Sequence, residues 1–381
     1  MNVPASQVTA MRSGRASGGV DPPELTLENL DLITDFYVFD SDDEQTFEAT
    51  ACCFIESPDA QPVTGTEVGE WLRRLLATIR DRPRRDEINF AMIYLDKYVF
   101  RVHRDETVSG VQLCIRRVKG QCPRLRDLHF ANSFWRPLLL SDRLTNGGIV
   151  LFASKPGSGK STTMGATISE RLEIFGGVCK TIEDPPELPL QNSFGRGICF
   201  QTAVDTRLPI AEQYAKPLRE IALRGFPSIP GGGRTMLMLG EIRDPETAGL
   251  IVQSAVGHLI LTSIHAENPE MACARLASMA GQVLGESVAR DMLASSLRIV
   301  VSQSMTKNPV SKNEWDRRVI HGDLLWSHSY SSPVANIIRE GQFARINSAL
   351  GQQRMMMQEG MKKQTPASEM VALLSRDIAK A

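Results

Sequence analysis

At roughly 150 residues per domain, a chain of 381 residues has room for two to three domains, and its 42% apolar and 23% charged residues exclude disorder over the whole length. Lys and Arg number 43 against 44 Asp and Glu, a formal charge of −1, which argues against a chain built to coat a polyanion with surplus cations. No apolar run approaches the roughly 18 residues that cross a bilayer, so an integral membrane protein is not expected.

In chain order, residues 1–22 are rich in Ser, Gly, Ala and Pro and read as a flexible leader. Arg12 and Arg15 in it have no apolar stretch behind them, so it is not a secretory signal and the protein is expected in the cytoplasm. Residues 23–140 read as a small α+β domain. Strands are expected over Asp35–Phe39, Ala49–Ile55, Asn89–Val99 and Gln112–Val118, and a helix over Glu67–Ile79 with Val68, Trp71, Leu72, Leu75 and Ile79 on one face. Residues 141–308 change character. Apolar strands at Gly148–Phe152, Val178–Ile182, Thr235–Leu239 and Leu259–Ile264 alternate with helical segments, the pattern of a mostly parallel sheet covered by helices on both faces. Residues 309–381 turn polar and then helical, around Val334–Ile338 and Ala367–Leu374. Seven cysteines, at 52, 53, 114, 122, 179, 199 and 273, have no CxxC or metal-ligand spacing, which fits buried thiols in a reducing compartment and not zinc.

The strongest chemical signal is SKPGSGKS at 154–161, between the strand GGIVLFA and the helical run that begins at Ser161. A glycine-rich turn there lets the backbone N–H groups of Gly157, Ser158, Gly159 and Lys160 point into one concavity, and the helix N-terminus adds positive potential. Lys160 would reach the β- and γ-phosphates, and the Ser161 hydroxyl would hold Mg²⁺. The pattern is GxxxxGK[ST] with Ser154 in place of the first glycine. No guanine-reading NKxD is present, so ATP is the expected nucleotide.

Hydrolysis also needs an acid at the end of a neighbouring strand. RTMLMLGEIRD places Glu241 there, with Gly240 where an Asp is usual. A second strand ends in Glu183-Asp184-Pro185, and a third ends in His265. Any one of these alone reads as a solvated strand terminus; three on successive strands behind one phosphate loop read as a site.

With these residues in hand, the chain resembles the secretion ATPase superfamily, which includes type IV pilus retraction motors and type IV secretion and conjugative-transfer motors. The resemblance covers about residues 85–345. The Walker A box is 154–162, including Thr162. TIEDP at 181–185 resembles the family's Asp box, LGEIRDPET at 239–247 its Walker B box and GHLILTSIH at 257–265 its His box. FRVHR at 100–104 and IRRV at 115–118 resemble its N-domain arginine segments, and PVANIIREGQ at 333–342 resembles a stretch of retraction motors. The tetracysteine module of the pilus-extension and type II branch is absent, which points to the retraction and type IV transfer branches.

The resemblance implies an α/β fold: a RecA-like P-loop ATPase domain behind a smaller α+β, PAS-like N-terminal domain, with C-terminal helices. It implies ATP and Mg²⁺ as ligands, Arg101 and Arg116 as γ-phosphate contacts, Arg243 among the catalytic residues, and His265 as a γ-phosphate sensor. His258 either couples its strand to the neighbouring one or is an ordinary interior histidine. In this reading Glu241 orients or deprotonates the attacking water and Glu183 positions the Mg²⁺ hydration shell. A homo-hexamer is implied, docked peripherally on platform or secretion-channel proteins at the inner membrane, with the divergent N-domain favouring a conjugative or type IV secretion setting. Two arginine-rich clusters, one from Arg73 to Arg85 and one from Arg116 to Arg126, leave a DNA-stimulated translocase as the alternative, although direct nucleic-acid binding is not expected. A non-hydrolysing nucleotide-binding scaffold is a further alternative, against which Glu241, Glu183 and His265 all stand.

Overall fold

The structure is a computed structural model that describes residues 25–55, 59–81, 89–96, 98–118, 121–155, 157–222, 225–226, 234–307 and 318–375. The expected leader, Arg82, Arg84, Arg85, Lys119, Pro156 and most of the PSIPGGGR segment lie outside these residues. The chain divides into two compact units, one of residues 1–120 with 185–189 and 205–207, the other of the remainder. The division therefore falls at 120 and not at 140, and the stretch from 309 onward belongs with the second unit.

The first unit holds a six-stranded sheet of β1 (Asp35–Phe39), β2 (Cys52–Phe54), β3 (Gln61–Pro62), β4 (Asn89–Leu95), β5 (Tyr98–Thr107) and β6 (Gly110–Val118), in the order β3-β2-β1-β6-β5-β4. Every neighbouring pair is antiparallel. Helix Glu67–Arg80 starts where Thr66 Oγ1 accepts from Gly69 N at 3.1 Å. Its apolar stripe, spaced three and four apart, buries Val68, Trp71, Leu72, Leu75 and Ile79 with Phe36, Val38, Phe100, Val102, Leu113 and Ile115. Two expectations change. Ala49 and Thr50 end a helix, Glu44–Thr50, because Asp43 caps it by accepting from Thr46 N at 2.9 Å, and the strand begins only at Cys52. The run Asn89–Val99 is two strands, not one, since Asp96 takes a φ of 52° and turns the chain back on itself.

The second unit holds a nine-stranded sheet of β7 (His129–Phe130), β8 (Gly148–Ala153), β9 (Gly177–Glu183), β10 (Asn192–Phe194), β11 (Gly197–Ala203), β12 (Thr235–Leu239), β13 (Leu259–Ile264), β14 (Leu297–Lys307) and β15 (Arg318–Trp326). Their order is β10-β11-β9-β12-β13-β8-β14-β15-β7. The six from β11 to β14 are parallel. Strands β8, β12 and β13 are buried at every position, as expected of parallel strands covered on both faces. Ile149, Leu151 and Ala153 join one cluster with residues of helices Pro245–Ser254, Pro269–Leu284 and Glu286–Ser296, and strand alternation sends Val150 and Phe152 to the opposite side.

In the stretch from 309, expected to turn polar and then helical, the described residues begin at 318 with β15, antiparallel to β14, and then give helices Pro333–Arg339, Ile346–Lys362 and Ala367–Leu374. Gln353 ties the second of these to β15, its amide bonding both the N–H and the carbonyl of Trp326 at 2.8 Å. Of the methionines at 355–357, Met357 is buried and Met355 is exposed.

Candidate functional site

Because β9, β12, β13 and β8 are consecutive and parallel, their carboxyl ends lie along one edge of the sheet. Each end carries a candidate: Glu183 on β9, Glu241 after β12, His265 after β13 and the loop 154–159 after β8. Backbone bonds continue past the strands and hold these ends level. Gly240 N donates to Ile182 O, and Ile242 N donates to Ser263 O, both at 2.9 Å.

In the loop, Gly157 and Gly159 have φ of 76° and 85°, the left-handed region that side chains disfavour. A Cβ on Gly159 would also come within 2.8 Å of Met305 Sδ. Helix Lys160–Phe175 begins directly behind, with Lys160, Ser161 and Thr162 in its first turn. The Lys160 ammonium donates to the carbonyls of Ser154 at 2.7 Å and Lys155 at 3.0 Å. Ser154 is 4% exposed, its hydroxyl donating to Ala153 O and accepting from Gln303 N at 2.7 Å. Ser158 Oγ and Thr163 Oγ1 are buried and make no hydrogen bond among the described residues. A cradle shaped by left-handed glycines at a helix N-terminus, with a lysine at its first turn, fits a phosphate group. The hydroxyl and carboxylate donors nearby are the hard oxygen ligands that suit Mg²⁺.

Glu183 is 4% exposed and accepts from Thr181 Oγ1 at 2.6 Å and Gln201 Nε2 at 3.0 Å. Two donors on one oxygen fix the orientation of the side chain. Glu241 is gripped at both oxygens, by His265 Nε2 at 2.8 Å and Arg243 Nε at 3.1 Å. Arg243 also reaches Asp184 at 3.0 Å. Burial alone would draw the Arg243 guanidinium down, but its bonds to the Glu241 and Asp184 carboxylates hold it above its ordinary range. Tyr214 itself is 1% exposed, and burial pushes its phenol well above the usual range, so it remains a neutral hydroxyl among three carboxylates. Gly240 lies beside it, where a Cβ would meet the Tyr214 oxygen at 3.4 Å, an ordinary contact.

Three candidates are carried by other elements. His258 sits before β13, at the opposite end of the strands. It bonds Thr235 through Nδ1 at 2.7 Å and stacks on Phe226 at 4.8 Å. Arg101 and Arg116 belong to the first unit, directly opposite each other in the register of β5 and β6. Arg116 pairs with Asp35 at 2.7 Å, which raises its affinity for its proton.

The described arginines of the two basic clusters are largely engaged by acids. Arg73 pairs with Glu44 and Glu70, Arg74 with Asp96, and Arg80 with Asp40 and Asp42. Arg117 pairs with Asp31, while Arg124 and Arg126 share Glu173. The charge of these described arginines is thus largely matched locally, whereas a phosphate backbone is met by unpaired cations. Sequence reasoning passed over Tyr214, Gln201 and Gln303. None stands in a recognisable motif, and each meets the site only through the fold.

A family model described as "Type II/IV secretion system protein" matches residues 79–374. The chain is 29% identical over 268 residues to a "Twitching motility protein" of Neisseria gonorrhoeae, covering 69% of this chain and 64% of that one. It thus spans just under two thirds of that relative's length. To the "Uncharacterized protein YggR" of Escherichia coli K12 it is 30% identical over 258 residues, 67% of this chain and 71% of the other. Among solved structures, the pilus retraction motor PilT with bound ADP superposes with a TM-score of 0.63 at 21% identity, over 94% of this chain and 99% of that one, a likeness of fold.

Proposed function

The chain belongs to the type II/IV secretion system protein family, and from that membership we propose that it is a motor ATPase whose hydrolysis of ATP drives a secretion or type IV pilus machine. The observation that carries this reading is the convergence of a phosphate loop and three polar strand ends on one edge of the parallel sheet. Its finer parts are a homo-hexamer, peripheral docking on inner-membrane partners, and a type IV secretion or conjugative client.

The chemistry follows from how each side chain is held. Lys160 leaves the loop carbonyls to meet the phosphates, where it neutralises charge that develops during transfer. Gly157, Ser158, Gly159 and Thr162 line the same cradle. Mg²⁺, bound with ATP, would be held by Ser161 with its water shell towards Glu183, and would supply further neutralisation of phosphate charge. Glu241, fixed between His265 and Arg243, cannot swing, so it presents one carboxylate geometry to the attacking water and accepts its proton. His265 and Arg243 are then placed to balance the charge on Glu241. His258 acts at a distance, linking β12 to β13. Arg101 and Arg116 are supplied by a neighbouring subunit.

Replacing Glu241 with Gln keeps the shape of the side chain and one of its two acceptor oxygens, and removes the base. Turnover should fall to background while binding of a fluorescent ATP analogue is retained. Undiminished hydrolysis in that variant would refute the assignment.

A further inference from the structure

Strand β14 runs parallel to β8 with Val301 opposite Phe152 and Ser302 opposite Ala153. The next residue, Gln303, therefore comes level with the start of the phosphate loop. It is 4% exposed and holds the loop at two points. Its backbone N–H donates to Ser154 Oγ at 2.7 Å, and its side-chain Nε2 donates to Ser158 O at 2.8 Å. Met305, two residues on, closes the space beside Gly159. The other end of the Gln303 amide, Oε1, is buried without a hydrogen bond among the described residues. Turning the amide over would set its oxygen against Ser158 O, so the orientation is fixed by that carbonyl. A buried amide that leaves its oxygen unpaired is present for its N–H.

We propose that Gln303 is a positioning residue for nucleotide binding and that, with Ser154, it forms a clasp that holds the phosphate loop ready to receive phosphates. The inference rests on the nucleotide site proposed above. It also gives a reason for serine where the loop pattern has glycine. A glycine at 154 would leave the buried Gln303 N–H without its acceptor, whereas the hydroxyl accepts from it and donates on to Ala153 O. A loop free to flex must be ordered at the moment of binding, and that cost weakens affinity. A loop already clasped avoids it. Because the clasp touches no reacting atom, it favours bound nucleotide and transition state alike, and its loss belongs in KM and Kd rather than in kcat.

The test uses the full chain with Mg²⁺, a fluorescent ADP for equilibrium titration and steady-state ATP hydrolysis. Gln303→Met keeps length and bulk and removes both the donor and the unpaired acceptor. Loss of one hydrogen bond should raise Kd and KM roughly two- to tenfold, with kcat staying within about twofold. Gln303→Glu should behave similarly, because an ionised carboxylate cannot donate to Ser158 O. Ser154→Ala should weaken binding and Ser154→Thr, which keeps the hydroxyl, should restore it. Unchanged ADP affinity in Gln303→Met, or a fall in kcat with KM unmoved, would overturn the clasp. Should circular dichroism show Gln303→Met unfolded, the pair Ser154→Ala and Ser154→Thr decides, since equal affinities in the two would overturn it as well. Failure of the unaltered chain to bind ADP would refute the nucleotide site itself, whereas normal binding that is blind to residue 303 refutes only the clasp.

Discussion

His258 shows how one residue of a motif can belong to the scaffold rather than to the chemistry. Thr235 opens β12 and His258 immediately precedes β13, so the bond between them joins two central strands at the end away from the phosphate loop. Burial draws the His258 imidazole below its ordinary 6.5, because a charged ring would lose its water there. With the folded pKa depressed, the unfolded chain binds more protons once pH falls below 6.5, so stability is full above that value and is lost as pH falls through the folded pKa. His258→Asn keeps an acceptor for Thr235 and does not titrate. Between about pH 8 and about pH 5.5 its Tm should therefore fall less than that of the unaltered chain. Equal falls would show that His258 adds nothing to the acid sensitivity. The residues legible in advance were those held by fixed spacing, such as Lys160, Glu241 and His265. Gln303 was not, because a single glutamine inside a strand carries no pattern, and its partners lie 145 and 149 residues away in sequence.

Elements were legible where one period dominated. The helix from Glu67 and strands β1, β8, β12 and β13 follow directly from apolar spacing, and burial at every position of the last three is why they read as unbroken apolar runs. Strands β14 and β15 escaped because LRIVVSQSMTK mixes both faces with polar residues and RVIHGDLLW contains a glycine, which weakens a strand signal. That glycine matters. Gly322 stands opposite Gln303 with φ of 139°, and a Cβ there would lie 1.9 Å from Ser302 O. The two strands approach so closely at this pair that any side chain must push β14 aside. Gly322→Ala should therefore destabilise the chain by about 2–3 kcal/mol in denaturant unfolding. Displacing β14 there should also weaken ADP binding, since Gln303 is what moves. A variant of unaltered stability would mean that the close approach is absent.

At the scale of the whole molecule, the balance of 43 basic against 44 acidic residues conceals local pairing, and the arginine clusters that suggested a polyanion are largely met by carboxylates. What the pairing leaves unusual is Arg101 beside Arg116, two like charges in direct register. Like charges held opposite one another destabilise a sheet, and among the described residues Asp35 pairs with Arg116. Such a pair is tolerated where an anion is to be met. If the anion is the nucleotide of the next subunit, neither arginine can serve its own chain's phosphate loop. Each active site is then built from two chains. Arg116→Ala and Glu241→Gln should each be inactive when alone, one lacking the donated cation and the other the base. In a closed ring assembled from an equal mixture, about a quarter of the sites would combine an intact Glu241 with an intact Arg116 from its neighbour. Mixing two dead proteins should thus restore about a quarter of normal turnover, provided they are mixed before assembly. A mixture that stays inactive while light scattering shows co-assembled rings would refute shared sites and return both arginines to their own chain.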